Sequence, residues 1–202
     1  MNTDWSSWRK EKRKQLIVAR ETIPPEVHQQ WSQNITDFLK QEFPQLQKMV
    51  VGIYWPFRGE YDPRSMAQYL LNEGATLALP EVIRRNEALC FREWTPDVAM
   101  KTGSYGIAVP IDSRQVLPNA LLIPMVGFDA RGYRLGYGSG YFDRTLTAYD
   151  SPPLTIGIAF ELQRLENTFP QPHDIPMQYV VTEAGAFCCN DNPIKWGRLR
   201  EL

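Results

Sequence analysis

The sequence has few of the residues that bind zinc or form covalent cross-links. Its 202 residues include three cysteines and two histidines. Cys188 and Cys189 are adjacent, which is too close for an ordinary disulfide bridge. A disulfide framework and a zinc ribbon are therefore excluded, and neither histidine lies in a pattern typical of nucleophilic catalysis. The low cysteine content is typical of a reducing compartment, so we expect the protein in the cytoplasm.

Long apolar runs and an excess of charge of one sign are also missing. No stretch approaches 18 uninterrupted apolar residues, and 22 basic side chains against 23 acidic ones leave a net charge of −1. The first 20 residues lack the apolar core of a secretory leader. We therefore expect no membrane span and no nucleic-acid partner. The expected partners are small molecules, and the expected state is a monomer or a weak dimer.

The composition and the order of apolar segments predict one α/β domain over residues 1–202. Hydrophobic residues make up 43% of the chain and charged residues 22%, which are ordinary globular values. Apolar strand-like runs alternate with helical patterns, which predicts a mostly parallel open sheet with helices on both faces, in Rossmann-like layers. The predicted helices are 5–23, 26–42, 63–72 and 141–148, and the predicted strands are 49–55, 76–79, 89–94, 120–125, 155–160 and 179–182.

Ligands of such sheets bind at the carboxyl ends of the strands. Three loops are therefore candidates for the site, those after Trp55, Met125 and Phe160. The most informative one contains Gly136, Gly138 and Gly140, between a predicted strand and a predicted helix. Glycines allow positive φ and a close approach of backbone N–H groups to an anion, which favours a phosphate cradle. A flexible turn, or close packing of helix on sheet, would explain the glycines equally well.

The residues that flank the glycines strengthen the phosphate interpretation. Arg134 and Arg144 supply cations, and Asp143 supplies a carboxylate. A cation, a phosphate cradle and a carboxylate that can bind Mg²⁺ are the groups that phosphoryl transfer needs. The alternative for Asp143 is an acid at a helix N-terminus, where it favours the helix dipole. The spacing differs from both the dinucleotide fingerprint and the P-loop.

The run from Arg134 to Asp143, RLGYGSGYFD, resembles the signature of the 5-formyltetrahydrofolate cyclo-ligase family. The residues that introduce this signature also match, namely Pro124, Phe128, Asp129 and Gly132. The similarity extends to the basic first helix and to segments 52–60, 105–110 and 173–182. This resemblance implies that 5-formyltetrahydrofolate and ATP are converted to 5,10-methenyltetrahydrofolate, ADP and phosphate, with Mg²⁺.

The resemblance also implies roles for residues of this chain. Asp143 and Asp174 are implied to bind Mg²⁺, and Arg134 and Tyr141 are the implied catalytic residues. The implied ATP contacts are Arg9, Lys10, Arg13, Arg134, Leu135, Gly136, Tyr137, Gly138, Ser139, Gly140, Tyr141 and Phe142. The implied folate contacts are Trp55, Glu60, Tyr137, Gly138, Ser139, Gly140 and Tyr141.

Basic residues four apart on the first helix are implied to contact the nucleotide phosphates. Two registers fit, Arg9 with Arg13 or Lys10 with Lys14. At 100° per residue, Arg9, Arg13 and Arg20 lie within roughly 40° of one another on the helix surface, so we prefer the arginines. A solvated charged helix is the alternative.

The loop after Trp55 contains Glu60, which resembles the family's pterin-binding glutamate. A carboxylate accepts two parallel hydrogen bonds from an aminopyrimidine edge, and Trp55, Phe57 and Tyr61 could form apolar walls for the ring. The alternatives are a surface acid and core aromatics. The chain departs from many relatives at Val109, where they have glutamate, and at Ser139, where glycine or lysine is common. Two other functions remain open, a small-molecule kinase and a folate-binding protein without turnover.

Overall fold

The computed structural model describes residues 5–189, which fold into one large sheet, two small sheets and four α-helices. The helices are α1 Trp5–Glu21, α2 Pro25–Glu42, α3 Arg64–Asn72 and α4 Tyr141–Thr147. The strands are β1 Val50–Gly52, β2 Thr76–Glu81, β3 Cys90–Trp94, β4 Met100–Thr102, β5 Ala108–Pro110, β6 Ala120–Pro124, β7 Gly127–Asp129, β8 Arg134–Leu135, β9 Leu154–Ile158, β10 Arg164–Leu165, β11 Tyr179–Thr182 and β12 Gly185–Cys188. None of the helices within 5–189 is long and apolar enough to cross a membrane.

The large sheet has seven strands in the order β12-β11-β9-β6-β1-β2-β3. The five inner strands are parallel to one another, and the edge strands β3 and β12 are each antiparallel to the next strand. The central strand β6 is buried on both faces, since Ala120 to Ile123 are at most 1% exposed. Continuous burial explains why its sequence is apolar throughout instead of alternating. The predicted mostly parallel sheet is confirmed.

Helices cover both faces of this sheet, as predicted. Leu122 of β6 packs in one core cluster with Leu39 of α2 and Leu70 of α3. The adjacent residue Leu121 packs in a second cluster with Leu146 of α4. Successive side chains of a strand point to opposite faces, so these two clusters lie on opposite sides of the sheet. The strand order also places the carboxyl ends of β1, β6 and β9 next to one another.

The first helix packs on the segments that follow β6. Leu16 and Ile17 of α1 form a small buried cluster with Val126 and with Leu135 of β8. Strand β8 belongs to the three-stranded sheet β10-β7-β8, which extends from the end of β6. The apolar side of α1 is therefore fixed against the loop that contains the glycines. This contact holds the basic residues of the helix close to the loop.

The structure corrects several predicted boundaries. The predicted strand 49–55 is a strand only over Val50–Gly52. The Ile53 amide still donates to the Ala78 carbonyl oxygen of β2 at 2.8 Å, and the buried Tyr54 then continues toward the site. The first helix ends at Glu21 because Pro24 and Pro25 follow closely. The strands β4, β5, β7, β8, β10 and β12 were not predicted. They have two to four residues each, which is too short for a period to be recognised.

Candidate active site

A cavity of about 390 Å³ opens at the carboxyl ends of the central strands. Two of the three candidate loops line it directly, the one after β1 and the one with the glycines. The long segment after β9 contributes His173 and Asp174, and the N-terminal helix contributes Arg9 and Arg13. Residues from β2 and the segment after it, and from segment 104–109, complete the lining, so the cavity brings together six parts of the chain. This arrangement supports the prediction that ligands bind at this edge of the sheet.

The glycine loop needs glycine at two of its three positions. Gly138 has φ +101° and Gly140 has φ +63°, both in the region that side-chain-bearing residues rarely adopt. A Cβ on Gly138 would lie 3.7 Å from the guanidinium carbon of Arg13, an ordinary contact, so the requirement is conformational. Gly136 has open space around it. Arg13 donates through Nε to the carbonyl oxygen of Gly136 at 2.7 Å and thus holds the loop.

Two arginine–aspartate pairs lie at the same end of the cavity. Arg9 Nη1 is 3.0 Å from Oδ2 of Asp174, and Arg134 Nη2 is 2.7 Å from Oδ1 of Asp143. The amide of Ile175 also donates to Oδ1 of Asp143 at 3.1 Å, while its carbonyl accepts from Arg134 Nη1 at 2.7 Å. Burial lowers the pKa of Arg134, and the charge of Asp143 opposes this shift. Each carboxylate keeps one oxygen that accepts no hydrogen bond from a described residue.

At the other end of the cavity Glu60 is buried, with 5% of its surface exposed. Its Oε1 accepts a hydrogen bond from the Tyr137 hydroxyl at 2.8 Å, and its Oε2 accepts one from the amide of Phe57 at 3.0 Å. Burial raises the pKa of Glu60, while Arg20 and the two hydrogen bonds oppose the shift. Glu60 is thus a buried carboxylate that faces the cavity, and the surface-acid alternative is wrong.

The aromatic walls differ in part from the prediction. Trp55 and Phe57 line the cavity as expected, and so does Tyr54, which the sequence analysis did not single out. Tyr61 does not: it is 2% exposed and hydrogen-bonds Thr36 within the core. The chain between β1 and Glu60 turns at Arg58 and Gly59, both with positive φ, and no period in the sequence predicts which aromatic residues face inward. Val109 also lines the cavity and adds an apolar contact.

A family model covers most of the chain. The model of the 5-formyltetrahydrofolate cyclo-ligase family matches residues 5–183. The chain belongs to this family. The 5-formyltetrahydrofolate cyclo-ligase of Escherichia coli strain K12 is 31% identical over 173 residues, which cover 81% of this chain and 93% of the relative. The enzyme of that name from Haemophilus influenzae is 28% identical over 84% of this chain and 94% of its own length.

Solved structures agree with this membership in the cyclo-ligase family. The NMR structure of 5,10-methenyltetrahydrofolate synthetase from Aquifex aeolicus superposes with a TM-score of 0.79 at 31% identity, covering 91% of this chain and 93% of that one. The synthetase from Mycoplasma pneumoniae has a TM-score of 0.72 at 21% identity, covering 87% and 98%. The second comparison shows the shared fold alone.

The residues that match the family signature are not all at the cavity. Its glycines line the cavity with Arg134, Tyr137, Ser139 and every residue from Tyr141 to Asp143. Leu135 is fully buried in the cluster beneath α1, so its side chain supports the loop from behind. Arg144 lines a further cavity, of about 400 Å³, that shares the glycine loop. Arg144 Nη2 donates to the carbonyl oxygen of Ser139 at 2.5 Å.

The arginines of the basic helix reach two different places along the site. Arg9 and Arg13 line the cavity, whereas Lys10 and Lys14 are exposed and do not. Arg20 shares the predicted helix face with Arg9 and Arg13, but its side chain is fully buried next to Glu60 and contacts neither carboxylate of the two ion pairs. The three residues differ by only a few tens of degrees around the helix axis, but the helix rises by about 1.5 Å per residue. Arg20 therefore lies about two turns beyond Arg13 and about three turns beyond Arg9.

Proposed function

We propose that the protein catalyses the ATP-dependent cyclisation of 5-formyltetrahydrofolate to 5,10-methenyltetrahydrofolate, with release of ADP and phosphate. One observation carries this proposal: the glycine loop of the family signature and the buried Glu60 line one cavity. A phosphate cradle and an acceptor for a heterocycle are thereby within reach of the same bound substrates. The family membership of residues 5–183 supports the same activity.

The chemistry explains why such a reaction uses ATP. A formamide carbonyl is a weak electrophile, and closing a ring onto its carbon requires loss of the oxygen as a very poor leaving group. Transfer of the γ-phosphoryl group to the formyl oxygen, with ADP leaving, converts that oxygen to a phosphate ester. N10 of the same molecule then attacks the formyl carbon and gives up its proton to solvent, and phosphate leaves with the electron pair of the C–O bond. The attack is intramolecular and so has a high effective molarity.

At the folate end, we propose that Glu60 accepts hydrogen bonds from the aminopyrimidine edge. Both of its oxygens are held by Tyr137 and by the Phe57 amide, so the carboxylate has one fixed orientation toward the cavity. Trp55 and Tyr54 provide flat apolar surfaces beside it. A planar heterocycle fits such walls because dispersion contacts with its faces add to the hydrogen bonds at its edge.

At the phosphate end, we propose that backbone N–H groups of residues 136–140, with Arg9 and Arg13, bind the triphosphate. Both terminal nitrogens of Arg134 are occupied by Asp143 and the Ile175 carbonyl. Its guanidinium is therefore oriented before ATP binds and can stabilise charge on the transferring phosphoryl group. Tyr141 lies beside Gly140 and would contact the region between folate and γ-phosphate.

We further propose that Mg²⁺ binds between ATP and the two aspartates. Residues 5–189 contain no group of three or more His, Cys, Asp or Glu that could hold a metal ion alone. Asp143 and Asp174 fit the usual magnesium arrangement of one or two carboxylates with substrate phosphates and water, since each has an oxygen outside its arginine pair. The ion would neutralise charge on the phosphates, and the two aspartates would hold it in position.

The absorbance of the methenyl product tests this function. Purified protein is mixed with 5-formyltetrahydrofolate and ATP, with Mg²⁺ or with a chelator, and the ultraviolet absorbance is followed together with phosphate release. We expect product only with MgATP, and one phosphate per methenyl group formed. A phosphorylated product without phosphate release would indicate a small-molecule kinase. Folate binding without any absorbance change would indicate a binding protein.

We also propose that a single domain acts as a monomer in the cytoplasm. Within one chain, the described residues already bring the glycine loop and Glu60 to the same cavity. Size-exclusion chromatography with light scattering, at the concentration used for the assay, checks this. A dimer that loses activity on dilution in parallel with dissociation would contradict it.

A further inference from the structure

Arg20 is a buried cation that the proposed reaction does not use directly. It lies in the last turn of α1 with 1% of its surface exposed. Its Nε donates to the carbonyl oxygen of Arg58 at 2.9 Å, and its Nη1 donates to that of Met125 at 3.3 Å. Its Nη2 donates to the hydroxyl of Tyr137 at 2.7 Å and is 3.8 Å from Oε1 of Glu60. Within residues 5–189, Glu60 has the one carboxylate within 4 Å of the Arg20 guanidinium.

We infer that Arg20 is a positioning residue for Glu60: acting across the Tyr137 hydroxyl, it fixes the orientation of the carboxylate and keeps it charged for the folate ring. This inference rests on the proposed function, since it concerns the pterin contact of the same site. It assigns a separate task to each end of α1. Arg9 and Arg13 face the phosphate loop, and Arg20 supports the folate end.

The hydrogen bonds form a directed chain. Arg20 Nη2 donates to the Tyr137 oxygen, and the Tyr137 hydroxyl donates its own proton to Oε1 of Glu60 at 2.8 Å. A hydroxyl that accepts from a cation becomes a better donor, which strengthens its bond to the carboxylate. The Phe57 amide occupies Oε2 at 3.0 Å. Rotation of the carboxylate would break both of its bonds, so the chain fixes its plane.

Arg20 is also the cation that balances the charge of Glu60. Among the described residues, the titratable groups that face the Glu60 carboxylate are Arg20 from α1, Tyr137 from the glycine loop, and the buried phenol of Tyr54. His28 of α2 contacts the backbone carbonyl of Glu60 at 3.0 Å and not the carboxylate. Burial raises the pKa of Glu60, and Arg20 is the largest opposing influence. Loss of its charge would therefore extend protonation of Glu60 to higher pH.

A purely structural role for Arg20 makes different predictions. The guanidinium also joins α1 to the loops after β1 and β6 through backbone carbonyl oxygens. If this were its whole contribution, its removal would loosen both ends of the site. The Michaelis constants for folate and ATP would then change together and in the same way at every pH.

Steady-state kinetics from pH 6 to pH 9 separates these roles. The variants are Arg20→Gln, Arg20→Lys and Tyr137→Phe, each also combined with Glu60→Gln. Arg58→Gln is the matched control. Arg58 is an arginine in the loop that contains Glu60, but its side chain is exposed and pairs with Glu21 at 2.8 Å.

For Arg20→Gln we expect the KM for 5-formyltetrahydrofolate to rise by about tenfold at neutral pH, and further as the pH falls, while the KM for ATP stays within about twofold. Arg20→Lys should restore a flat pH profile without restoring the full affinity. In the Glu60→Gln background, Arg20→Gln should raise the folate KM by less than about a further twofold, because substitutions at interacting residues do not have additive effects. Parallel changes for both substrates, or additive effects in the double variant, would overturn the inference.

Two further measurements keep the outcomes distinct. If Arg20→Gln does not fold, the Tyr137→Phe variant tests the inference instead. We expect Tyr137→Phe to raise the folate KM several-fold when Glu60 is present and to leave it unchanged in the Glu60→Gln background. An unchanged folate KM with Glu60 present would overturn the inference. Calorimetry of the parent with 5-formyltetrahydrofolate tests the proposed function separately. A parent that neither binds nor converts this folate overturns that function, whereas normal turnover with a flat Arg20→Gln profile overturns only the role of Arg20.

Discussion

The two ends of the cavity balance charge in different ways. At the folate end, Glu60 is buried and its oxygens accept hydrogen bonds from neutral donors, the Tyr137 hydroxyl and the Phe57 amide, with Arg20 behind them. At the phosphate end, arginines and aspartates pair directly, Arg9 with Asp174 at 3.0 Å and Arg134 with Asp143 at 2.7 Å. One end presents a single fixed acceptor, and the other holds cations and anions side by side.

This difference follows from what each end would bind. A neutral heterocycle gains most from one fixed hydrogen-bond acceptor and apolar walls, because little charge has to be balanced. A triphosphate with a divalent cation brings both negative and positive charge. The arginines can then pair with phosphate oxygens, and the aspartates with the cation, in place of each other. The folate end, with its fixed carboxylate, should therefore control affinity for folate. The phosphate end, with its arginine–aspartate pairs, should control turnover. Four predictions test this division, from the largest expected effect to the smallest.

The largest effect is expected for Asp143→Asn. The amide still accepts the hydrogen bond from Arg134, but it supplies one anionic ligand fewer to a hard cation. Turnover should fall by about two orders of magnitude or more and recover in part at high Mg²⁺ by mass action. Folate affinity without nucleotide should be unchanged. Rates against Mg²⁺ concentration for variant and parent provide the measurement.

Thermal melting of the same variant distinguishes a magnesium ligand from the alternative in which Asp143 contributes only to stability. Its pairing with the buried Arg134 makes a loss of about 1.5–3 kcal/mol reasonable for the weakened charged hydrogen bond, so a lower Tm alone is uninformative. An earlier melting transition combined with normal turnover at every Mg²⁺ concentration would remove Asp143 from the catalytic machinery.

Glu60→Gln should act on the folate end alone. The amide keeps the volume of the side chain but replaces one acceptor oxygen with a donor, so one hydrogen bond to the aminopyrimidine edge is lost. Folate affinity should fall by about ten- to a hundredfold, from charge-assisted bonds of about 1.5–3 kcal/mol. Nucleotide affinity should be unchanged. Equal losses for both ligands, measured by calorimetry, would place Glu60 outside the pterin contact.

Gly138→Ala should act on the phosphate end by strain of the backbone. The position has φ +101°, and the new methyl group would make only an ordinary contact with Arg13. Adopting this conformation costs about 1–3 kcal/mol for a residue with a side chain, which corresponds to roughly tenfold in the KM for ATP. Gly136→Ala is the matched control, because the structure leaves open space there and a negative φ. A similar loss for both variants would contradict the conformational explanation.

The smallest effect is expected from thiol alkylation. Among the residues that line the cavity none is a cysteine, and burial raises the pKa of Cys189 to about 12 and the pKa of Cys90 above its ordinary value. Treatment with iodoacetamide at neutral pH should change turnover by less than about twofold, since Cys90 and Cys189 react slowly as thiols and no cysteine lines the cavity. Rapid inactivation that substrates prevent would indicate a thiol in the mechanism.

The sequence predicts the sheet and the glycine loop because both depend on local patterns. Continuous apolar runs mark the inner strands, and the alternating glycines mark a loop that needs positive φ at Gly138 and Gly140. The family resemblance adds Glu60 and Asp174, and both line the cavity. The choice between Arg9 with Arg13 and Lys10 with Lys14 also follows from a local property, the apolar face of the helix.

The remaining features depend on contacts between distant segments. Arg20 lies on nearly the same face as Arg13, and only the packing of α1 along the loops after β1 and β6 brings it to Glu60. Tyr54 and Tyr61 flank one irregular segment that turns through two positive-φ residues, and Tyr54 lines the cavity while Tyr61 lies in the core. The arginine–aspartate pairs join residues up to 165 positions apart. A single sequence contains no local signal for such contacts.

The division of the site is tested most directly by titrating two variants with two ligands. Glu60→Gln and Asp143→Asn are each titrated calorimetrically with 5-formyltetrahydrofolate alone and with a non-hydrolysable ATP analogue and Mg²⁺. The account predicts a crossed result: Glu60→Gln loses folate affinity and keeps nucleotide affinity, and Asp143→Asn does the reverse. Two variants that lose both ligands to the same extent would contradict it.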